Sequence, residues 1–125
     1  MNLRDEDYLR HILDAISAIE SYVTEGESAF RADRRTRDAV IRNLEVVGEA
    51  ASKLSEDLRE KNADVPWTKI VGMRNRLIHG YLTVDQDVLW STVADVLPDF
   101  KQRIERLLGP TGGDRTDLPV KSGPD

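Results

Sequence analysis

The sequence predicts an all-α fold, an antiparallel bundle of four to five helices followed by a disordered tail. Three observations carry this expectation. Apolar residues recur at steps of three and four through most of residues 1–108, which form one domain. No stretch shows the apolar–polar alternation of a strand. Gly and Pro gather at the breaks between periodic segments and again from Gly109 onward, in the tail 109–125.

In the first helix, Leu9, Ile12, Leu13, Ile16, Ile19 and Val23 form a single stripe that stops near Gly26. The following EGESAFRAD reads as a loop, with Phe30 pinned to the core. The second helix runs on Val40, Leu44, Val47, Ala51, Leu54 and Leu58, the alternating spacing of a seam packed lengthwise against other helices. Gly48 beside that seam allows a neighbouring backbone to come close, at a cost of about 1 kcal/mol relative to Ala. NADVPW breaks the pattern, because Pro66 is tolerated in a first helical turn and not in an interior. The third helix then spans about Pro66 to His79, with Trp67, Ile70, Met73 and Leu77 inward and Gly80 suited to end it. Thr83 and Gln86 have the spacing of a capping box opening a fourth helix, which carries Val88, Leu89, Val93, Val96 and Leu97. Pro98 is expected to kink or split it, leaving Phe100, Ile104, Leu107 and Leu108 on a final helix. Trp67 and Trp90 are read as core anchors, and His11 as a solvated residue on the polar side of the first stripe.

Composition narrows the function. With no cysteine in 125 residues, disulfides and thiolate metal sites are excluded, and a cytoplasmic location is the default. The N-terminus MNLRDEDYLR is charged, which is unlike a signal peptide, and no stretch approaches the ~18 apolar residues of a membrane span. A net charge of −5 disfavours a general nucleic-acid binder, although a whole-chain sum says little about one face.

The chemistry concentrates in RNRLIHGY, residues 74–81. Arg74, Arg76 and His79 near a helix C-terminus are accounted for by the negative end of the helix dipole, and Tyr81 by covering the end of the bundle. The combination also suits cleavage of an RNA phosphodiester. An imidazole moves protons near neutral pH, and a guanidinium grips phosphate and offsets charge in the transition state. At about 100° per residue, His79 sits roughly 140° around the helix from Arg74. The two meet at one substrate only in a cleft that wraps the helix end or is shared with a second copy. No His/Asp/Glu set has metal-ligand spacing, so neither a metal nor a cofactor is expected.

These residues resemble the Arg-x4-His-x-Tyr signature of HEPN-domain ribonuclease toxins, specifically the HepT-like branch, with Arg74, His79 and Tyr81 at the motif positions. VVGEAASKLS at 46–55 resembles that family's Gly-Glu-Ala segment. VPWTKIVGMRN resembles its Pro-Trp opening of the catalytic helix, and VDQDVLW the segment that follows, so the resemblance covers roughly residues 5 to 108. It implies a HEPN-like bundle and a homodimer whose motifs line a shared cleft. It further implies a metal-independent ribonuclease with tRNA among its substrates, the toxin of a toxin–antitoxin pair. The implied partner is an MntA-like nucleotidyltransferase that attaches AMP to Tyr81. Carried over, Arg74 grips phosphate, His79 transfers protons, and Asn75 and Tyr81 support the site.

Two further readings stay open. FRADRRTRDAVIR carries Arg31, Arg34, Arg35, Arg37 and Arg42, unfavourably placed at a helix start. They either pair with Asp5, Glu6, Asp7 and Asp14 of the first helix or, through Arg34, Arg35 and Arg37, dock RNA. Glu49, beside Gly48, is placed to pair with an arginine near the cleft. The alternative to an enzyme is a non-catalytic helical dimer that binds a nucleotide or a nucleotidyltransferase.

Overall fold

The structure is a computed structural model that describes residues 1–80 and 85–114. Among these residues there is no strand, and four long helical runs are joined by short helical connectors. Helix α1 (Leu3–Tyr22) is capped by Asn2, whose side chain accepts the Asp5 N–H at 2.7 Å. Its stripe is buried at Leu9, Ile12, Ile16 and Ile19, with Leu13 and Val23 partly covered. EGESAFRAD is a short helix, α2 (Glu27–Ala32), and not the expected loop. Phe30 still enters the core and meets Trp90 at 5.1 Å between ring centroids.

The expected second helix is two helices, α3 (Arg34–Ser52) and α4 (Glu56–Lys61), although all six seam residues are buried. The break comes from Ser55, whose hydroxyl accepts the Leu58 N–H at 3.2 Å and so starts α4 afresh. Asp5 stabilises that corner. It is buried, and its carboxylate accepts the Ser55 N–H at 2.8 Å and the Ser55 hydroxyl at 2.6 Å. This contact ties the start of α1 to the end of α3, so the two helices run antiparallel. At the start of α3, Asp33 accepts from the Arg35 N–H and the Thr36 hydroxyl. The Thr36 hydroxyl, and then the Arg35 N–H, hold its carboxyl below the usual carboxylate range.

Helix α5 (Trp67–Gly80) follows a turn in which Pro66 O accepts the Ile70 N–H at 3.1 Å. Trp67 is buried, donates its indole N–H to Asn62 O at 3.0 Å, and stands edge-on to Phe100 at 6.0 Å. Helix α6 (Gln86–Ser91) is capped by Asp85, which accepts from the Asp87 and Val88 N–H groups. The expected capping box is therefore corrected, since Asp85 holds the cap position and Thr83 lies outside the described residues. Pro98 does not split the chain. A π-helical turn (Thr92–Val96) joins α6 to α7 (Leu97–Asp114), with the Leu97 N–H reaching Thr92 O. The widened turn draws the preceding carbonyls away from the proline ring. Lys101 of α7 meets Glu20 of α1 at 3.0 Å, start against end, so this pair is also antiparallel. Gly109 breaks α7 with φ 77°, at the expected domain boundary; helical backbone resumes to Asp114, and residues 115–125 of the expected tail lie outside the described residues.

Helices α3 and α5 approach most closely at Gly48. A Cβ built there would stand 2.1 Å from Arg74 Cβ and 3.3 Å from its Cα.

Two stability outcomes follow from these contacts. Asp5→Ala leaves the half-buried N–H and hydroxyl of Ser55 without their acceptor and is expected to cost about 1–3 kcal/mol. Urea unfolding should show this as a lowered midpoint with an unchanged slope. Gly48→Ala gains about 1 kcal/mol of helix propensity. Its clash is with the root of a side chain, so overpacking of about 1–3 kcal/mol or more should win. A Tm at or above the wild-type value would show that α3 and α5 separate freely.

Candidate active site

The anchored start of α5 fixes which side chains its later turns present. Ile70 and Leu77 face the core, and Arg74, one turn beyond Ile70, lies half-buried against Gly48 of α3. Its guanidinium is then held from two sides. Nη2 donates to Glu49 Oε1 at 2.6 Å, and Nη1 donates to Asn75 Oδ1 at 2.8 Å. The second Glu49 oxygen faces Lys53 at 3.8 Å. Nε of Arg74 is buried without a hydrogen-bond partner. The pairing of Glu49 with a nearby arginine is thus made with Arg74.

An open groove of about 360 Å³ runs between α1, α3 and α5. Tyr8 and His11 of α1, Arg42 and Glu49 of α3, and Arg74 and Ile78 of α5 are among the residues that line it. His79 is exposed in the last turn of α5 and is not part of the groove lining. Asn75 and Arg76 are exposed as well. Tyr81 lies outside the described residues.

The groove holds a histidine that the sequence reading set aside. His11 is exposed, as expected, but it stands beside the groove and edge-on to Tyr8 at 6.1 Å. The signal available was its one-turn spacing from Tyr8. Only the packing of the helices brings that pair into one groove with Arg74.

The arginine-rich segment is arranged differently from the ion-pairing expectation. Arg31 pairs with Glu27 at 2.9 Å and with Asp87 of α6 at 2.6 Å, and these hydrogen bonds raise its pKa further. Arg34 faces Asp38 and Arg42 faces Glu45, each at 3.6 Å. Of the acidic groups of α1, Asp5 turns inward to Ser55 and Glu6 pairs with Arg10. Arg37 donates to the carbonyls of Phe30 and Arg31, closing the end of α2. Arg34 and Arg35 remain exposed.

Chemically, the groove offers a positioned guanidinium for an anion, with a hydrogen-bond network that fixes its plane. Among the described residues no group of three or more His, Asp or Glu side chains is placed to hold a metal ion. No described helix is long and apolar enough to cross a membrane.

The family described as ribonuclease HepT-like matches residues 12–107. A probable ribonuclease HepT from Thermococcus cleftensis is 39% identical over 108 residues, covering 86% of this chain and 98% of that protein. A putative RNase from Methanocaldococcus jannaschii is 36% identical over 107 residues, covering 84% and 98%. One from Caldanaerobacter subterraneus is 35% identical over 102 residues, covering 81% and 91%. No solved structure gives a significant match. With Arg74 fixed between Gly48 and Glu49 and an exposed His79 one and a half turns further on, the chain belongs to the HepT-like ribonuclease family.

Proposed function

We propose that this protein is the toxin of a cytoplasmic toxin–antitoxin pair, an endoribonuclease that cuts RNA, tRNA included, without a metal ion. The observation that carries this reading is the guanidinium of Arg74, fixed by Glu49 and Asn75 at a groove just before an exposed histidine. In the proposed reaction His79 takes the proton of a ribose 2′-hydroxyl. The 2′-oxygen attacks the adjacent phosphorus, the bond to the 5′-oxygen breaks, and that oxygen takes a proton from water while His79 returns its own to solvent. The products are a 2′,3′-cyclic phosphate end and a 5′-hydroxyl end. Arg74 offsets the charge that builds on the phosphoryl oxygens, where a fixed donor costs no reorganisation. Asn75 holds the guanidinium plane.

Arg74 and His79 serve one phosphate when two copies face each other across the ends of α5. Ile78, exposed on the rim of the groove, supplies an apolar contact for that pairing. An AMP carried on Tyr81 by an MntA-like nucleotidyltransferase places a phosphate two residues from His79, where it blocks the cleft and repels an RNA backbone. The non-catalytic dimer draws on one observation, the carboxylate of Glu49 already seated on Arg74. A phosphate has to share or displace it.

Incubating wild type and His79→Ala with total tRNA in EDTA separates these readings. Loss of a general acid–base group lowers the rate by about 10²–10⁴-fold. Cleavage by wild type that vanishes in the variant is the expected result; equal products from both, or none from either with Tyr81 unmodified, favours the binding module. Ile78→Glu is expected to leave a folded monomer in light scattering and to abolish cleavage. A dimer that persists with full activity places the shared cleft elsewhere.

A further inference from the structure

We propose that the α1–α3 wall of the Arg74 groove is a subsite for single-stranded RNA. A base stacks on the exposed His11 ring, which Tyr8 backs edge-on, and Arg42 takes the phosphate next to the one gripped by Arg74. The inference rests on the ribonuclease reading of Arg74 and names how that site holds its substrate.

Three observations support it. First, the groove brings two rings, Tyr8 and His11, together with two cations, Arg42 and Arg74, beside the carboxylates of Glu45 and Glu49; in sites for unpaired strands, ring faces take bases and cations track the backbone. Second, the ring pair is already built. Tyr8 and His11 stand edge-to-face at 88°, and the Arg4 guanidinium lies 5.7 Å from the Tyr8 ring centre. Little side-chain freedom is left to lose when a base arrives. Third, Arg42 is available. Its side chain is 73% exposed and meets Glu45 at only 3.6 Å, an exposed ion pair that a phosphate replaces at small cost.

Arg42 precedes Glu49 by two helical turns, about 10 Å along α3, so the strand runs lengthwise along that helix. A duplex is excluded from this mode because its bases are turned inward on each other. The charged and titratable groups around His11 are Tyr8 on α1, Arg42, Glu45 and Glu49 on α3, and Arg74 on α5. The carboxylates face the arginines, which leaves His11 as a stacking surface.

The test uses full-length protein and a fluorescent oligoribonucleotide carrying 2′-O-methyl groups, which cannot be cleaved through the 2′-oxygen. Anisotropy titrations across a potassium chloride series are run for wild type, His11→Ala, His11→Phe and Arg42→Ala. His11→Ala is expected to weaken binding about tenfold, and His11→Phe to restore it, since stacking needs a ring and no proton. Arg42→Ala is expected to flatten the log–log salt dependence by about 0.7, the share of one phosphate on a single strand. In parallel, tRNA cleavage should show raised KM with nearly unchanged kcat for His11→Ala and Arg42→Ala. Binding unchanged in all variants overturns the subsite. So does a collapse of kcat with loss of one limb of the pH profile in both His11 variants, which makes His11 a proton-transfer group. Failure of the ribonuclease reading is seen separately, as tRNA products that are the same with and without His79→Ala, and the anisotropy arm then still decides the groove.

Discussion

The contact between Gly48 and Arg74 is the constraint on which the rest of the site depends. No other residue fits at position 48 without moving α5, because the obstruction is the root of the Arg74 side chain and not its tip. Only at that separation does the guanidinium come down beside Glu49, the next residue along α3. A cation taken partly out of water is tolerable only with a partner, and the Glu49 carboxylate at 2.6 Å provides one. The buried Nε, left without an acceptor, is a further cost of this arrangement. Such unmet groups are uncommon and often mark places where structure has been fitted to a task other than stability.

The two ends of α5 divide the work. Its first turn is fixed by a buried tryptophan that is both hydrogen-bonded and packed edge-on to another ring. Its last turn carries Ile78 and His79 into solvent. Arg74 sits between these regimes, on a rigid helix but at the edge of an open groove. Sites on helices hold their geometry more closely than sites on loops.

Much of this was legible in the residue pattern, for a physical reason. The seams of α1 and α3 follow a period set by helix geometry alone, so burial of Leu9, Ile12, Val40 and Leu44 required no tertiary information. The motif on α5 was equally visible, since the spacing of Arg74 and His79 is a property of one helix. What escaped notice depends on contacts between distant segments. Ser55 breaks the second seam because Asp5, far away in sequence, holds it. The helix over Glu27–Ala32 is too short for periodicity to reveal, and its end is closed by Arg37 from the next helix. Pro98 marks a disturbance in the last helical run, but the residue pattern does not say that it takes the form of a π-helical turn over Thr92–Val96. The groove is assembled from three helices and belongs to no single stretch.

The arginines at the start of α3 show how a net charge of −5 coexists with a local cationic face. Cations in a first helical turn oppose the dipole, so the fold has to offset them. Asp33 does so at the cap, and Arg37 and Arg31 are drawn off toward α2 and α6. That leaves Arg34, Arg35 and Arg42 exposed, with at most one loosely placed carboxylate each for Arg34 and Arg42. Arg35, Arg42 and Glu49 are spaced two turns apart, so they lie along nearly one line of α3, and that line leads to Arg74. Local neutralisation of the rest of the segment leaves Arg35 and Arg42 as the exposed cations of this line, which ends at the carboxylate that holds Arg74.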